Sequence, residues 1–173
     1  PALAAWLPPL VAALAQELYR GLERPLPVVQ RDAEWRDESR HRDVPVRIYQ
    51  PKIEKEEPAR PMVVFSHGMG ASRRSYGYIC EHLAAQGFVV VVPTHEGSDT
   101  AGVRKELGDR LKRQVKGEQP RQGLIAENTN DPENLRNRPK DISFVIDRAL
   151  KDPELRIDAA RIGVAGHSFG AYT

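Results

Sequence analysis

Arg161-Ile162-Gly163-Val164-Ala165-Gly166-His167-Ser168-Phe169-Gly170 decides the fold. After Arg161, Ile162-Gly163-Val164-Ala165 is a short apolar run with two β-branched residues, as expected of a strand buried in a parallel sheet. The next five spell G-x-S-x-G, the pattern of a sharp strand-to-helix turn. Such a turn holds its serine in a strained backbone conformation with the hydroxyl in open space. Side chains two positions either side of the serine would collide, so Gly166 and Gly170 stand there. Chance alone produces this pattern in about one chain in twenty of this length. Its position directly after a predicted strand, with the small Ala171 next, raises its meaning.

Reading back toward the N-terminus, a helix is expected over Lys140–Leu150, with Pro139 at its first position and Ile142, Val145, Ile146, Ala149 and Leu150 on one face. Asp152-Pro153 ends it. Residues 97–138 have little apolar periodicity and many alternating charges, so they read as a long charged insertion, part solvated helix and part loop. Phe88–Val92 is a buried strand stopped by Pro93. Before it, Tyr76, Ile79, Cys80, Leu83 and Ala84 share a helical face, with Ser75 as the expected cap and Gly87 as the left-handed terminator. Met62–Ser66 is another buried strand. Val44–Tyr49 alternates and reads as a strand, with Pro45 suited to a sheet edge. Strand, helix and strand in this order build a parallel sheet. Gln16–Asp43 is charged and mixed, with no element assigned.

A second turn strengthens the first. The Met62–Ser66 strand runs straight into His67-Gly68-Met69-Gly70. Two glycines let the backbone approach a reacting carbonyl oxygen, and the Met69 N–H is the natural donor to it. The Phe169 N–H, next to Ser168, is the second. Each such donor contributes roughly 3–4 kcal/mol to a transition state. His67, Gly68, Gly70, Gly166, His167 and Gly170 support the two turns.

Four segments carry a resemblance to a known family: Val44–Pro51 (VPVRIYQP), Met62–Asp99, Arg138–Val145 (RPKDISFV) and Arg161–Thr173 (RIGVAGHSFGAYT). They resemble the platelet-activating-factor acetylhydrolase and dienelactone-hydrolase-like branch of the α/β-hydrolases; the charged stretch between them matches poorly. The resemblance implies an α/β-hydrolase fold, a mostly parallel sheet with helices on both faces. It implies a carboxylic-ester hydrolase with Ser168 as nucleophile, an acyl-serine intermediate, Met69 and Phe169 as oxyanion donors, and no metal or organic cofactor. The substrate expected is a small acyl or lipid-like ester.

A serine needs a base to take its proton. In this fold the acid and histidine follow the serine in chain order, yet His41, His67, His82, His95 and His167 all precede Ser168. His95 follows a strand end and is a candidate for lining the pocket. Asp141, Asp147 and Asp158 read as caps or surface charges. The base and acid are therefore expected beyond Thr173, in a C-terminal remainder, and these residues alone should have little activity. Residues 21–173 then form the front part of a hydrolase domain, cut after the elbow. Competing functions are a catalytically inactive hydrolase-like binding domain, a lactonase or acyl-peptidase on the same fold, and a docking module using the charged run Arg104–Arg121.

Composition narrows the remaining classes. With 26 basic and 24 acidic residues among 173, nothing favours nucleic acid. One cysteine, Cys80, excludes an internal disulfide framework and a multi-cysteine metal cluster. No run reaches the roughly 18 apolar residues of a membrane span. Residues 1–20 read either as the remnant of a secretory signal peptide, through the apolar run Ala2–Ala15, or as a helix packing Leu10, Leu14 and Leu18. This tips the location slightly toward secreted or periplasmic rather than cytoplasmic.

Overall fold

A computed structural model describes residues 24–52, 58–118 and 123–173. The N-terminal signal or helix expectation lies outside the described residues. Among the described residues five strands form one sheet: β1 (Val28–Asp37), β2 (Arg42–Pro51), β3 (Arg60–Ser66), β4 (Val89–Pro93) and β5 (Ile157–Gly166). Their spatial order is β1-β2-β4-β3-β5. β3 pairs in parallel with both β4 and β5, while β2 pairs antiparallel with both β1 and β4. Only β2 therefore runs against the others, and the sheet is mostly parallel.

Helices cover both faces. α1 (Gly77–Ala85) packs Cys80 and Ala84 against Tyr49, Phe65, Val90 and Val92. On the opposite face Ile142, Val145 and Ala149 of the long helix Pro132–Leu150 meet Val44, Val46, Ile48, Met62, Val64, Val89 and Val91. The continuous valine run of β4 is explained by this double coverage: alternate side chains enter opposite cores, and all five residues are buried.

Several elements depart from the expectation. β1 is a ten-residue strand in a stretch where no element is expected. Its charge hides a weak alternation in which Ala33, Trp35 and Asp37 turn inward while Asp32, Glu34 and Arg36 turn out. Pro45 is not at an edge, because β2 lies between β1 and β4. The Pro45 carbonyl accepts from Thr94 N at 2.8 Å, just past the end of β4. In an antiparallel strand N–H and C=O of one residue point the same way, so the missing proline N–H faces the same spent end of the ladder. Ser75 does not cap α1; its hydroxyl accepts from Ser72 N at 3.0 Å in the preceding turn, and Tyr76 holds the cap position.

The charged stretch is mostly helical rather than loop: α2 (Thr100–Val115), α3 (Leu124–Thr129), and then α4, which is the long helix beginning at Pro132. Asp99 caps α2 by accepting from Gly102 N. α2 buries none of its residues, which explains its missing periodicity; pairs such as Arg113–Glu106 and Lys112–Asp109 lace its surface. The start of α4 is set by Asp131, which accepts from Glu133 N and Asn134 N, with Pro132 at the first position. Pro139 thus lies inside the helix and does not begin it. β5 differs too: among the described residues it pairs with β3 alone and is largely exposed, with Val164 at 57%.

Candidate active site

The site stands where β3, β4 and β5 end together. Ser66 closes β3, and Gly166 closes β5 beside it in parallel register. Two turns leave this edge side by side: His67–Gly70, and the elbow from Gly166 into α5 (Phe169–Tyr172). Ser168 sits at the crest, exposed, with φ 54° and ψ −119°. A non-glycine residue there stores about 1–3 kcal/mol of strain. The packing that maintains it is backbone on backbone. A Cβ on Gly166 would overlap the Gly170 carbonyl, and one on Gly170 would overlap the Ser66 oxygen. His167 N donates to that Ser66 oxygen at 3.2 Å, joining the turns directly.

The hydrogen bonds of the two turns leave a pattern. Gly68 N donates to the Tyr76 hydroxyl, Gly70 N to Ser98 O, Gly170 N to His167 O and Ala171 N to Ser168 O. Among the described residues, Met69 N and Phe169 N donate to nothing. Phe169 is buried and Met69 half-buried. His167 is exposed, with its Nδ1 2.9 Å from the Tyr76 hydroxyl, so Tyr76 touches both turns. His41 and His82 are exposed, and Asp147 is a surface charge. Asp158 is a local surface group that accepts from Ala160 N and pairs with Arg161.

Asp141, expected as a cap or surface charge, is neither. It is fully buried, as are His95, His67 and Ser66. His95 Nδ1 lies 2.9 Å from Asp141 Oδ2, and its Nε2 lies 3.1 Å from Ser66 Oγ. Arg42 donates to both Asp141 oxygens, and Arg40 pairs with Asp141 at 2.9 Å. Arg138 completes the network. It is 1% exposed and donates to Ser66 Oγ, Ser98 Oγ, Thr173 Oγ1 and the His67 carbonyl. Burial pushes it down to about 10. Donors and acceptors close in one direction: Arg138 to Ser66, Ser66 to His95 Nε2, His95 Nδ1–H to Asp141.

Serine, histidine and aspartate thus meet in a relay, but with no access for a substrate. Burial pushes His95 down to about 4 and His67 to about 3, keeping both neutral. Burial alone would raise Asp141, but hydrogen bonds from His95 and Arg42 outweigh it and hold the carboxyl below its usual range. This cluster supports the floor of the site and does not reach its surface. The sequence did carry a signal for it: Arg138 and Asp141 occupy the same helical face as Ile142, Val145 and Ala149. A charge on a buried stripe must be satisfied internally. Among the described residues no group of three or more His, Cys, Asp or Glu could hold a metal ion. No described helix is long and apolar enough to cross a membrane.

Residues 17–144 match the family model described as platelet-activating factor acetylhydrolase, isoform II. The chain belongs to that family. The matched span includes the His67–Gly70 turn, His95, Arg138 and Asp141, and stops before the elbow. Platelet-activating factor acetylhydrolase of Gallus gallus is 30% identical over 148 residues, covering 65% of this chain and 34% of that protein. The Cavia porcellus protein of the same name is 29% identical over 136 residues, covering 65% and 30%. The chain therefore spans about a third of the length of these curated relatives. Among solved structures, a ferulic acid esterase from Streptomyces cinnamoneus superposes with a TM-score of 0.62 at 27% identity, over 84% of this chain and 53% of that one. A dienelactone hydrolase-like promiscuous phosphotriesterase from metagenomic libraries shares the fold at TM-score 0.54 and 14% identity, over 83% and 51%. This acetylhydrolase family member has the α/β-hydrolase fold.

Proposed function

We propose that the chain carries the nucleophile and the oxyanion donors of a serine carboxylic-ester hydrolase acting on a small acyl or lipid-like ester. The observation that carries this reading is the pairing of an exposed, strained Ser168 with two neighbouring turns whose Met69 and Phe169 amides donate to nothing among the described residues. The names of the relatives, acetylhydrolases and an esterase, point the same way.

The chemistry follows from the geometry. Ser168 Oγ attacks the ester carbonyl carbon, and its proton passes to a general base. The carbonyl π pair moves onto oxygen, which becomes an oxyanion facing the Met69 and Phe169 amides. Collapse expels the alcohol, protonated by the base, and leaves an acyl group on Ser168. Water, activated by the same base, then frees the acid. The scheme needs no metal and no organic cofactor. Within the chain no histidine is suited to be that base: His67 and His95 are locked in the buried network, and His167 is bound to Tyr76. We place the base and its acid partner outside residues 1–173.

The test is covalent labelling of the full-length protein with a fluorophosphonate. Attachment at Ser168, lost in Ser168→Ala, is the result expected. A folded, unlabelled protein would instead indicate a hydrolase-like binding domain. Activity on lactones or acyl-peptides exceeding that on simple esters would shift the substrate class without moving the nucleophile.

A further inference from the structure

We infer that His67 is a positioning residue for the oxyanion pair: its Nδ1–H holds the Gly68–Met69 peptide so that the Met69 N–H faces the ester oxygen. This rests on the serine-hydrolase reading above and adds to it a residue whose role that reading leaves open.

Two successive peptide units in this turn are held differently. The first, between His67 and Gly68, is held at both ends: its carbonyl accepts from Arg138, and its N–H donates to the Tyr76 hydroxyl at 3.3 Å. The second, between Gly68 and Met69, is held at one end only. Its carbonyl lies 2.6 Å from His67 Nδ1 and also accepts, at a longer 3.2 Å, from Ala71 N in the turn; the imidazole is the shorter contact and the one from the core. Its N–H belongs to Met69 and donates to nothing among the described residues. A trans peptide is planar, with C=O and N–H pointing in opposite directions. Pulling the Gly68 oxygen toward the buried imidazole therefore turns the Met69 N–H the other way, out of the core. A hydrogen bond at the carbonyl also polarises the N–H of the same unit.

The imidazole can do this in one protonation state. The backbone N–H of His95 points at His67 Nε2 at 3.0 Å, so Nε2 must carry a lone pair. The ring's one proton is then on Nδ1, facing the Gly68 oxygen. The opposite tautomer would set two donors against each other at Nε2 and two lone pairs against each other at Nδ1. The ring is fully buried and stands beside that of His95, with centroids 5.1 Å apart. The chain just past β4 thus dictates the tautomer of a residue that follows β3, and the tautomer dictates the direction of an amide at the surface.

Two variants of the full-length protein separate this role from simple packing. His67→Asn puts a side-chain amide N–H near the position of Nδ1 and so keeps the donor to Gly68. His67→Gln puts a side-chain carbonyl near the position of Nε2 and so keeps the acceptor for the His95 N–H. With 4-nitrophenyl acetate as probe, kcat of H67N stays within about threefold of wild type. In H67Q it falls about 10- to 100-fold, with KM little changed. Affinity for an aryl trifluoromethyl ketone, which forms a tetrahedral alkoxide on serine, falls in H67Q by the same factor as kcat/KM. Equal loss in the two variants, or the reverse order, overturns the proposal while wild-type activity leaves the serine-hydrolase reading intact. A wild-type protein that neither hydrolyses the probe nor labels at Ser168 defeats that reading instead. Should both variants fail to fold, the imidazole ¹⁵N shifts of wild-type His67 decide: protonated Nδ1 with free Nε2 supports the proposal, and the other tautomer or the cation refutes it.

Discussion

The guanidinium of Arg138 lies 4.4 Å from the ring centre of Phe169, so one buried cation on α4 touches the elbow and, through the His67 carbonyl, the neighbouring turn. Its flat fork serves four acceptors drawn from three separate segments of the chain. Replacing Arg138 with Met removes this donor from the buried Ser66, Ser98 and His67 carbonyl, and a loss of about 3 kcal/mol in unfolding free energy is expected. Lysine, with a single point charge, should recover little of it. Urea titration of the full-length variants measures both, and a cost below about 1 kcal/mol for R138M would contradict the clamp.

Acid should weaken the fold through the histidine pair. The unfolded chain protonates its histidines near pH 6.5, while in the folded protein His67 and His95 resist until about 3 and about 4. Between these limits the unfolded state binds more protons, so stability is full above about pH 6.5 and declines as pH falls. The lowered Asp141 acts in the same direction at more acid pH. A loss of about 3 kcal/mol between about pH 7 and about pH 5 is expected from denaturant midpoints. Stability that is flat or rising on acidification would show that the pair is not held neutral.

Two glycines separate steric need from chance. In Gly170→Ala the new methyl carbon would collide with the Ser66 carbonyl, whereas at Gly163 on β5 a Cβ meets nothing within 4 Å. Gly170→Ala should cost ~3 kcal/mol or more and abolish fluorophosphonate labelling. Gly163→Ala should be neutral or gain about 0.5 kcal/mol. Thermal melts of the two variants check this, and similar Tm values would remove the close-approach argument.

On the serine-hydrolase reading, Ser168 trades stability for function. At φ 54° its side chain is held where glycine would be relaxed. Ser168→Gly should therefore raise stability by about 1 kcal/mol while eliminating labelling and ester turnover. If the variant melts below wild type, the strain at the elbow is not stored in this residue.

The elbow is legible in the sequence because its requirement is local: within five residues, only glycine fits at 166 and 170. β3 and β4 are legible as short continuous apolar runs, as a strand covered on both faces requires, and α1 because its apolar residues recur at the helical period. β1 and α2 are not, since each presents most of its length to solvent and leaves little pattern to read. The start of α4 is available in Asp131-Pro132 but is overshadowed by Pro139.

The buried network marks the boundary between the two kinds of information. By itself the sequence determined that Ser168 follows a strand in a glycine-framed turn, and that a second glycine turn follows another strand, because both depend on neighbours a few residues away. That His95, from the end of β4, lies between Ser66 and Asp141 was decided only by tertiary structure. So was the enclosure of Arg138 by two turns and Thr173. The contacts that tie Ser66 to His95 and Arg138, and His95 to Asp141, join residues 29 to 72 positions apart. They exist only because β3 and β4 pair in register under α4, and a charge buried there must find its partners across that packing.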